Sequence, residues 1–538
     1  TEEDKALWED AIKSEIRAHI KNGTWEITKK PPNRNVVGYR MILKEKLNPD
    51  GTLERRKARL VAQGFSQRPG IDFSETYSPV VKMKSLRLLM SIAAEENLEI
   101  SQLDVTTAYL NGTLDEEIFM KKPEGLEEYL NKILIEESQN EDKTIFIKTR
   151  KMIEDLAKDG FENKVCSLKR ALYGLKQAGR QWFKKLDARL KELKFQPSFA
   201  DPCFYIRGEG GEKILIAVYV DDLVILSANR EKLDELKEDL SRTFEMRDIG
   251  KINYCLGIEF SRDKDGGVLM SQEKYINKLL KTFRMEKSKT MRTPMEANLK
   301  LEKPLEGVCP DVPYQSLIGS LMYLATATRP DIMYSVSYLS QFNTCYRNDH
   351  WAAAKRVLRY LKGTRSHALH FRRTGIKELT GMADANWGSC IDGRSYTGYC
   401  FDYNGTAISW ESRKQRTVAQ STAESEYMAL TEAAKEAMHL KRLINHAKQI
   451  NQSTVEILTD NQAALGWAID PIVNAKSKHI ALKEHFIREA VEKKDIHLEY
   501  CPTQDMTADI FTKALSGPKF FTFRRRLGLD AAAREGGY

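Results

Sequence analysis

Apolar positions along this chain recur at two spacings. Leu7, Trp8, Ala11, Ile12 and Ile16 fall at helical spacing until Asn22-Gly23 stops them. Met41-Ile42-Leu43 and Ala58-Arg59-Leu60-Val61-Ala62, with Asn48-Pro49-Asp50-Gly51 between them, read as a hairpin. Its second arm carries Arg55, Arg56, Lys57 and Arg59. A helix is expected over residues 86–96 and a strand over 98–105. The charge-dense stretch 129–164 reads as a surface insertion with partial helical character, and 168–193 as a helix rich in Lys and Arg. Residues 214–220 and 223–226 are apolar runs around Asp221-Asp222, the form of a hairpin. Helices follow over 230–243, 272–283, 316–326, 332–341 and 350–361, with a loop over 294–313. From about residue 375 the order changes to strands at 379–383, 398–403 and 407–410. A helix at 421–446, a strand at 455–459, helices at 461–469 and 480–492 and a strand at 497–501 complete it. That order implies a mixed sheet with helices packed on it.

A length of 538 residues is too great for one core and suggests about three or four units. A net charge of +9 permits a polyanionic partner without requiring one. The eight cysteines are scattered with no C-x-x-C pair, so reduced thiols are expected rather than a disulfide framework or zinc site. No apolar run approaches the roughly 20 residues of a membrane helix. The start, Thr1-Glu2-Glu3-Asp4, lacks both methionine and an apolar stretch; no signal peptide is expected, and the chain reads as a piece of something longer.

Two acidic constellations carry the chemistry. Asp221 and Asp222 sit between apolar strands that must be buried, which fixes them at the rim of a core. Asp104 ends the apolar strand of Leu98, Ile100 and Leu103. Three carboxylates on adjacent strand ends suit a pair of Mg²⁺ ions, which favour oxygen ligands and keep positions open for phosphates. In the last third, Asp384 and Asp460 end strands, Glu426 lies in the first turns of a helix, and Asp509 begins a late helix. Acids from four distant segments suit a two-metal site that cuts a phosphodiester bond. Ser421 with Glu424 makes a capping box, and Glu424 and Glu426 face about 200° apart, so only one points inward. Taken singly, each residue has a plainer reading. Asp221-Asp222 fits a solvated turn, Tyr109 a core aromatic, Gln177 a solvated helix residue, and Lys57 with Arg59 an exposed strand edge. His479 and His485 read as core or surface histidines.

The ordered set Gln102-Leu103-Asp104-Val105-Thr106-Thr107-Ala108-Tyr109-Leu110-Asn111-Gly112, Leu172-Tyr173-Gly174-Leu175-Lys176-Gln177-Ala178 and Tyr219-Val220-Asp221-Asp222 resembles the reverse transcriptase of copia-like long-terminal-repeat retrotransposons (Pseudoviridae). The later markers Gly381-Met382-Ala383-Asp384, Ser421-Thr422-Ala423-Glu424-Ser425-Glu426-Tyr427, Thr459-Asp460-Asn461-Gln462 and Ala508-Asp509-Ile510-Phe511-Thr512-Lys513 resemble the ribonuclease H that follows it. The resemblance runs from about Trp8 to about Leu529.

It implies an α+β and α/β multidomain chain: a right-hand polymerase followed by a ribonuclease H-like mixed-sheet domain. Fingers and palm would span 1–248, thumb and connection 249–375, the nuclease 376–525 and a C-terminal tail 526–538. The resemblance makes Asp104, Asp221 and Asp222 metal ligands of the palm and Tyr109 the ring that clashes with a 2′-hydroxyl. It makes Gln177 part of the nucleotide pocket, and Lys57, Arg59 and Lys44 the grip on the triphosphate. Tyr254-Cys255-Leu256-Gly257-Ile258 resembles the turn that holds the primer end. Asp384, Glu426, Asp460 and Asp509 would ligate the nuclease metals, Glu426 rather than Glu424 because the family's ligand directly precedes an aromatic or leucine. Asn386 stands where many relatives carry Asp, and residues 500–504 lack the histidine loop of cellular ribonucleases H.

The implied function is RNA- and DNA-directed DNA synthesis with degradation of the RNA of the hybrid. It would use two Mg²⁺ per centre, with Mn²⁺ as a substitute. Implied partners are RNA template, DNA primer, RNA–DNA hybrid, deoxynucleoside triphosphates and the element's capsid and integrase, with no membrane. Implied surroundings are cytoplasmic virus-like particles, with cDNA bound for the nucleus. The alternative is a decayed or host-adopted element that binds nucleic acid or forms particles without catalysis. Basic residues expected along the channel are Arg55, Arg56, Lys57, Lys169, Arg170, Lys176, Arg180, Lys184, Lys185, Lys355, Arg356 and Arg359.

Overall fold

A computed structural model describes residues 2–47, 52–158, 163–302, 309–376, 378–451, 454–469 and 481–531. Five sheets organise them. The first helix, Glu2–Asn22, lies on an N-terminal lobe whose sheet runs Trp25–Lys29, Lys164–Arg170, Thr113–Lys121, Val36–Val37. The expected basic hairpin is present as Tyr39–Leu47 and Leu53–Ala62, with Lys44 opposite Lys57 and Ile42 opposite Arg59. The turn at 48–51 lies outside the described residues.

The central sheet has the order Met246–Lys251, Glu99–Val105, Asp222–Ser227, Ile214–Tyr219, Phe204–Arg207, Gln196–Pro197. Its two middle strands are buried at nearly every position, as their unbroken apolar runs require. A third sheet starts at the hairpin Tyr254–Cys255 and Ile258–Arg262 and continues through Val268–Ser271 and His367–Phe371 to Leu529–Ala531. Four helices, Glu273–Thr282, Tyr314–Ala327, Met333–Ser340 and Asn348–Gly363, fill the segment before the last domain. There Thr406–Lys414, Tyr396–Tyr403 and Leu379–Asn386 are antiparallel, and Val455–Thr459 and Ile496–Tyr500 extend the sheet in parallel. The long helix Thr422–Lys448 packs on it. One apolar core runs from the central sheet through these helices into the last domain, and the N-terminal lobe has its own. Among the described residues no helix is long and apolar enough to cross a membrane. All eight cysteines are unpaired.

Four expectations are corrected. The stretch 129–164 is no looped-out insertion. It forms helices Leu126–Glu137 and Thr144–Ala157, whose Leu130, Ile133, Met152 and Leu156 are buried in the core of the N-terminal lobe. Residues 168–193 are not one helix: Lys164–Arg170 is a strand, and the helix begins at Ala178. Gly174 interrupts them with φ +90°, where a Cβ would meet the Ala62 carbonyl oxygen at 2.1 Å. Asp509 starts no α-helix but sits in a 3₁₀ turn, Thr507–Phe511. The tail from 526 is structured as far as Ala531, because Leu529 pairs with Leu369 and seals that sheet's apolar edge.

Gly174→Ala is expected to lower thermal stability by more than about 1 kcal/mol, since an L side chain is strained there and the Ala62 backbone cannot yield. Hydrogen exchange at the Ala62 amide, which donates to the Tyr173 carbonyl at 2.7 Å, reads the same loss locally.

Candidate active sites

The first centre grows from the apolar hairpin. Asp222 lies directly across from Asp104 in the antiparallel register. The two-residue turn places Val220 at φ +57°, a conformation that a β-branched residue adopts only under strain. Three bonds hold it: Trp182 Nε1 donates to Val220 O at 2.6 Å, Val105 N to Asp221 O at 2.9 Å and Val81 N to Val218 O at 2.9 Å. Thr107, another β-branched residue at positive φ, turns the chain after the Asp104 strand into the 3₁₀ segment Ala108–Asn111 that carries Tyr109.

All three carboxylates are half-buried. Burial, and then the charge of Asp104, push the Asp221 carboxyl above its usual range, against its own backbone N–H, Arg59 and Lys57. Burial also raises Asp222, against the hydrogen bond donated by Gln102 Nε2 at 2.9 Å. The Tyr109 and Tyr173 rings meet edge-on at 4.8 Å, and the Arg59 guanidinium lies 4.9 Å from the Tyr173 ring centre. Burial pushes the Tyr173 hydroxyl up to about 12 and raises Tyr109 as well, Asp221 adding to both. Lys57 is lowered by burial and then by Arg59, Lys46 and Arg55. The structure therefore brings Asp104, Asp221, Asp222, Tyr109, Lys57 and Arg59 close enough to act on one another's charge, with Lys44 exposed on the facing strand.

Gln177 departs from expectation. It is 1% exposed, and its amide is consumed by Asp72 O at 2.8 Å and Gln67 Nε2 at 3.0 Å. It braces the loop 64–73 rather than lining an open pocket. Several expected channel cations are also paired locally: Arg56 with Asp4, Lys169 with Glu26, Arg180 with Glu75 and Lys184 with Asp115. Arg359 donates to Lys289 O and Arg356 to Thr293 Oγ1, tying their helix to the preceding loop. At Leu256-Gly257 both residues have positive φ, the backbone of a tight hairpin turn, and Tyr323 donates to the Leu256 carbonyl.

In the second centre Asp384, Glu426 and Asp460 converge until one carboxylate oxygen of each lies within 4.8 Å of the others. Among the described residues no other acidic group is gathered so tightly, the Asp104 trio included. Ser421 Oγ accepts from Glu424 N at 3.2 Å and Glu424 accepts from Gln420 N at 2.6 Å, so Glu424 caps the helix and Glu426 faces inward, as expected. Burial raises both Asp384, to about 7, and Glu426, each carboxylate disfavouring charge on its neighbours.

Asp509 is fully buried beside this triad but outside it. Lys513 and Lys519 each hold one of its oxygens at 2.5 Å. Burial works to lower Lys513, yet Asp384 and Asp509 hold its ammonium above the ordinary value. Thr512 donates to Asp384. Thr512 and Lys513 stand in the marker Ala508–Lys513 with no role assigned to them from sequence; their spacing of three and four from Asp509 was the available signal. His479 and the His485 side chain lie outside the described residues.

The donor set suits a hard divalent cation. It is all oxygen, and Glu426 Oε2 is buried with no hydrogen-bond partner, an orphan that an ion would satisfy.

An acid-bearing strand turn and a tight all-oxygen acid cluster on one chain define a class of protein with two candidate metal centres, and comparison makes it specific. The family "Reverse transcriptase (RNA-dependent DNA polymerase)" matches residues 22–135 and 129–297. The Pol polyprotein of tobacco transposon TNT 1-94 is 37% identical over 97% of this chain, which covers 38% of that protein. That of Arabidopsis transposon RE2 is 36% identical over 97% of this chain and is covered to 34%. The chain thus spans about a third of the length of these curated relatives. A foamy viral protease–reverse transcriptase solved with double-stranded DNA aligns over 92% of this chain and 69% of its own at 12% identity and TM-score 0.45. The chain belongs to the reverse transcriptase family, and within it to the Pol polyproteins of copia-like transposons.

Asp384→Asn tests the electrostatics. The native state keeps this proton up to about pH 7 and the unfolded chain loses it near pH 4, so the native state binds more protons in between. Its contribution to stability is therefore lost as pH rises through that window. In metal-free buffer the variant should melt above the parent at pH 8, and that advantage should vanish near pH 4. An advantage independent of pH contradicts the assignment.

Proposed function

We propose that this chain copies RNA, and DNA, into DNA from a primer at the first centre and degrades the RNA of the hybrid at the second. The observation that carries the reading is the register that sets Asp104 against Asp222 at the rim of a buried hairpin, with Tyr109 and Arg59 beside it. Mg²⁺, two ions per centre with Mn²⁺ as a substitute, is the cation we assign to the carboxylates. Bound there, divalent cations would activate the attacking oxygen and neutralise charge on the leaving group.

The chain's own residues do the rest. Lys57 and Arg59, with Lys44 on the facing strand, neutralise the triphosphate of the incoming nucleotide. Tyr109 presents its ring beneath the sugar and excludes a 2′-hydroxyl. Gln177 supports the pocket from behind through Gln67 and Asp72. The Tyr254–Cys255 turn steadies the primer end. In the nuclease, Asp384, Glu426 and Asp460 form the ligand set, and Asp509 joins once Lys513 and Lys519 release it. RNA template, DNA primer and hybrid, deoxynucleoside triphosphates, and the capsid and integrase of the same element are the partners. Cytoplasmic particles are the proposed setting. The alternative of a catalytically decayed element expects lost carboxylates, and all seven acids are in place.

Primer extension on an RNA template, with RNA degradation scored in the same tube, separates the centres. Asp221→Asn should cut extension by more than about 100-fold and spare degradation, and Asp460→Asn should do the reverse. No extension by well-folded parent protein would favour the alternative. Tyr109→Val should raise incorporation of ribonucleotides relative to deoxynucleotides; an unchanged ratio would assign Tyr109 to packing alone.

A further inference from the structure

Arg87 is used by neither centre, yet its buried guanidinium is held by three backbone carbonyls and an indole ring. It lies on the helix Met83–Glu95, which packs on Thr406–Lys414, Val268–Ser271 and His367–Phe371, and is 4% exposed. Its Nε donates to Ile408 O at 2.7 Å, and its Nη1 donates to Thr326 O at 2.7 Å and Ala327 O at 2.9 Å. The guanidinium lies 3.8 Å from the Trp410 ring centre, and Trp410 Nε1 in turn donates to Ala325 O at 2.8 Å. One side chain thus joins three bodies: the polymerase helix, the end of the helix Tyr314–Ala327, and the nuclease strand Thr406–Lys414. Burying a guanidinium is costly, and an apolar residue could fill the same space. What the arginine adds is direction, because three carbonyls satisfied at once fix one mutual orientation.

Neighbouring contacts repeat the junction. Lys84 pairs with Glu436 at 2.6 Å, Ser409 donates to Glu436 at 2.6 Å, and Ser91 donates to Tyr403 O at 3.3 Å. The topology supplies a second, independent tie. The nuclease is entered through His367–Phe371 and left through Leu529–Ala531; these strands pair with each other and extend the sheet that begins at the Tyr254–Cys255 turn. Thr406 Oγ1 donates to His370 O at 2.7 Å, and Ala407 N donates to Leu527 O at 3.1 Å. Both ends of the nuclease are therefore fastened to the sheet whose far edge is the proposed primer support.

We infer that Arg87 is a positioning residue that holds the nuclease at a fixed offset from the primer terminus, so that it sets where the RNA is cut. The inference rests on the two-activity reading above. A nuclease on a loose tether would cut a hybrid wherever it collided; one fastened at both ends and pinned by Arg87 cuts at a constant distance from the DNA 3′ end.

The test uses the full chain and end-labelled RNA annealed to DNA primers of stepped length. The parent should give one narrow cluster of cuts that moves base for base with the primer 3′ end. Arg87→Met keeps the bulk and loses the carbonyl bonds. It should lower the preference for that cluster by about 2- to 30-fold, the scale of coupling through packed elements. Primer extension, and total cleavage of a long hybrid with no nearby 3′ end, should be unchanged. Trp410→Phe keeps a ring under the guanidinium and loses only the Ala325 bond; it should give a smaller broadening, and it decides the matter if Arg87→Met does not fold. Cuts as narrow in the folded variants as in the parent would overturn the inference. So would parent cuts indifferent to the 3′ end, which leave the two-activity reading standing. A parent that neither extends nor cuts overturns both.

Discussion

Carboxylates that repel one another are forced together twice in this chain, and the structure around them exists to resist that repulsion. At the first centre the restraint is the burial of Ile214–Val218 and Leu223–Ser227, which leaves Asp221 and Asp222 no freedom to separate from Asp104. At the second it is a sheet and a helix of 27 residues, which bring Asp384, Asp460 and Glu426 within 4.8 Å. Removing charge from water this way costs several kcal/mol per ion unless something neutralises it. Protons, lysines and the proposed cations are the three means available, and the first two leave their mark. Asp384 and Glu426 hold protons above their ordinary range, and Asp509 is clasped by Lys513 and Lys519.

The two centres solve the problem differently. The Asp104 trio is half-exposed and more open, bordered by Lys57, Arg59 and two tyrosines, which suits the anionic nucleotide proposed for it. The Asp384 trio is tighter and drier, its ligand atoms within 4.8 Å of one another, which suits the compact cation site proposed there. Among the described residues the β-branched ones in left-handed backbone are Val220 and Thr107, both beside the acids of the first centre. A glycine would relax either turn and would also free the acids to move.

Much of this was legible in sequence, for physical reasons. Apolar runs such as 214–218 cannot be anything but buried, and acids at their ends are then placed by covalent geometry. Helix periodicity and a cap showed that only one of Glu424 and Glu426 faces inward, and the family resemblance chose Glu426. What stayed hidden depends on tertiary partners. The strands Thr113–Lys121 and Lys164–Arg170 carry too many charges to read as strands until the lobe they cover is present. The helices between them look solvated because only one narrow face of each is apolar. Gln177 reads alone as a solvated helix residue and by resemblance as a pocket residue, because nothing local reveals that Gln67 and Asp72 come from 105 or more positions away to take its amide. Lys513 is one lysine of many until Asp384 is folded beside it.

The account stands on buried acids kept neutral in the absence of a cation, so the most direct measurement counts protons. Titration of Mg²⁺ into metal-free protein at pH 7, by calorimetry in buffers of different ionisation enthalpy, reports how many are released on binding. Release from the parent that is reduced in Asp384→Asn is the predicted result. Binding that displaces no protons from the parent, or displaces equal numbers from both, would contradict the picture of repelling carboxylates held together by the fold.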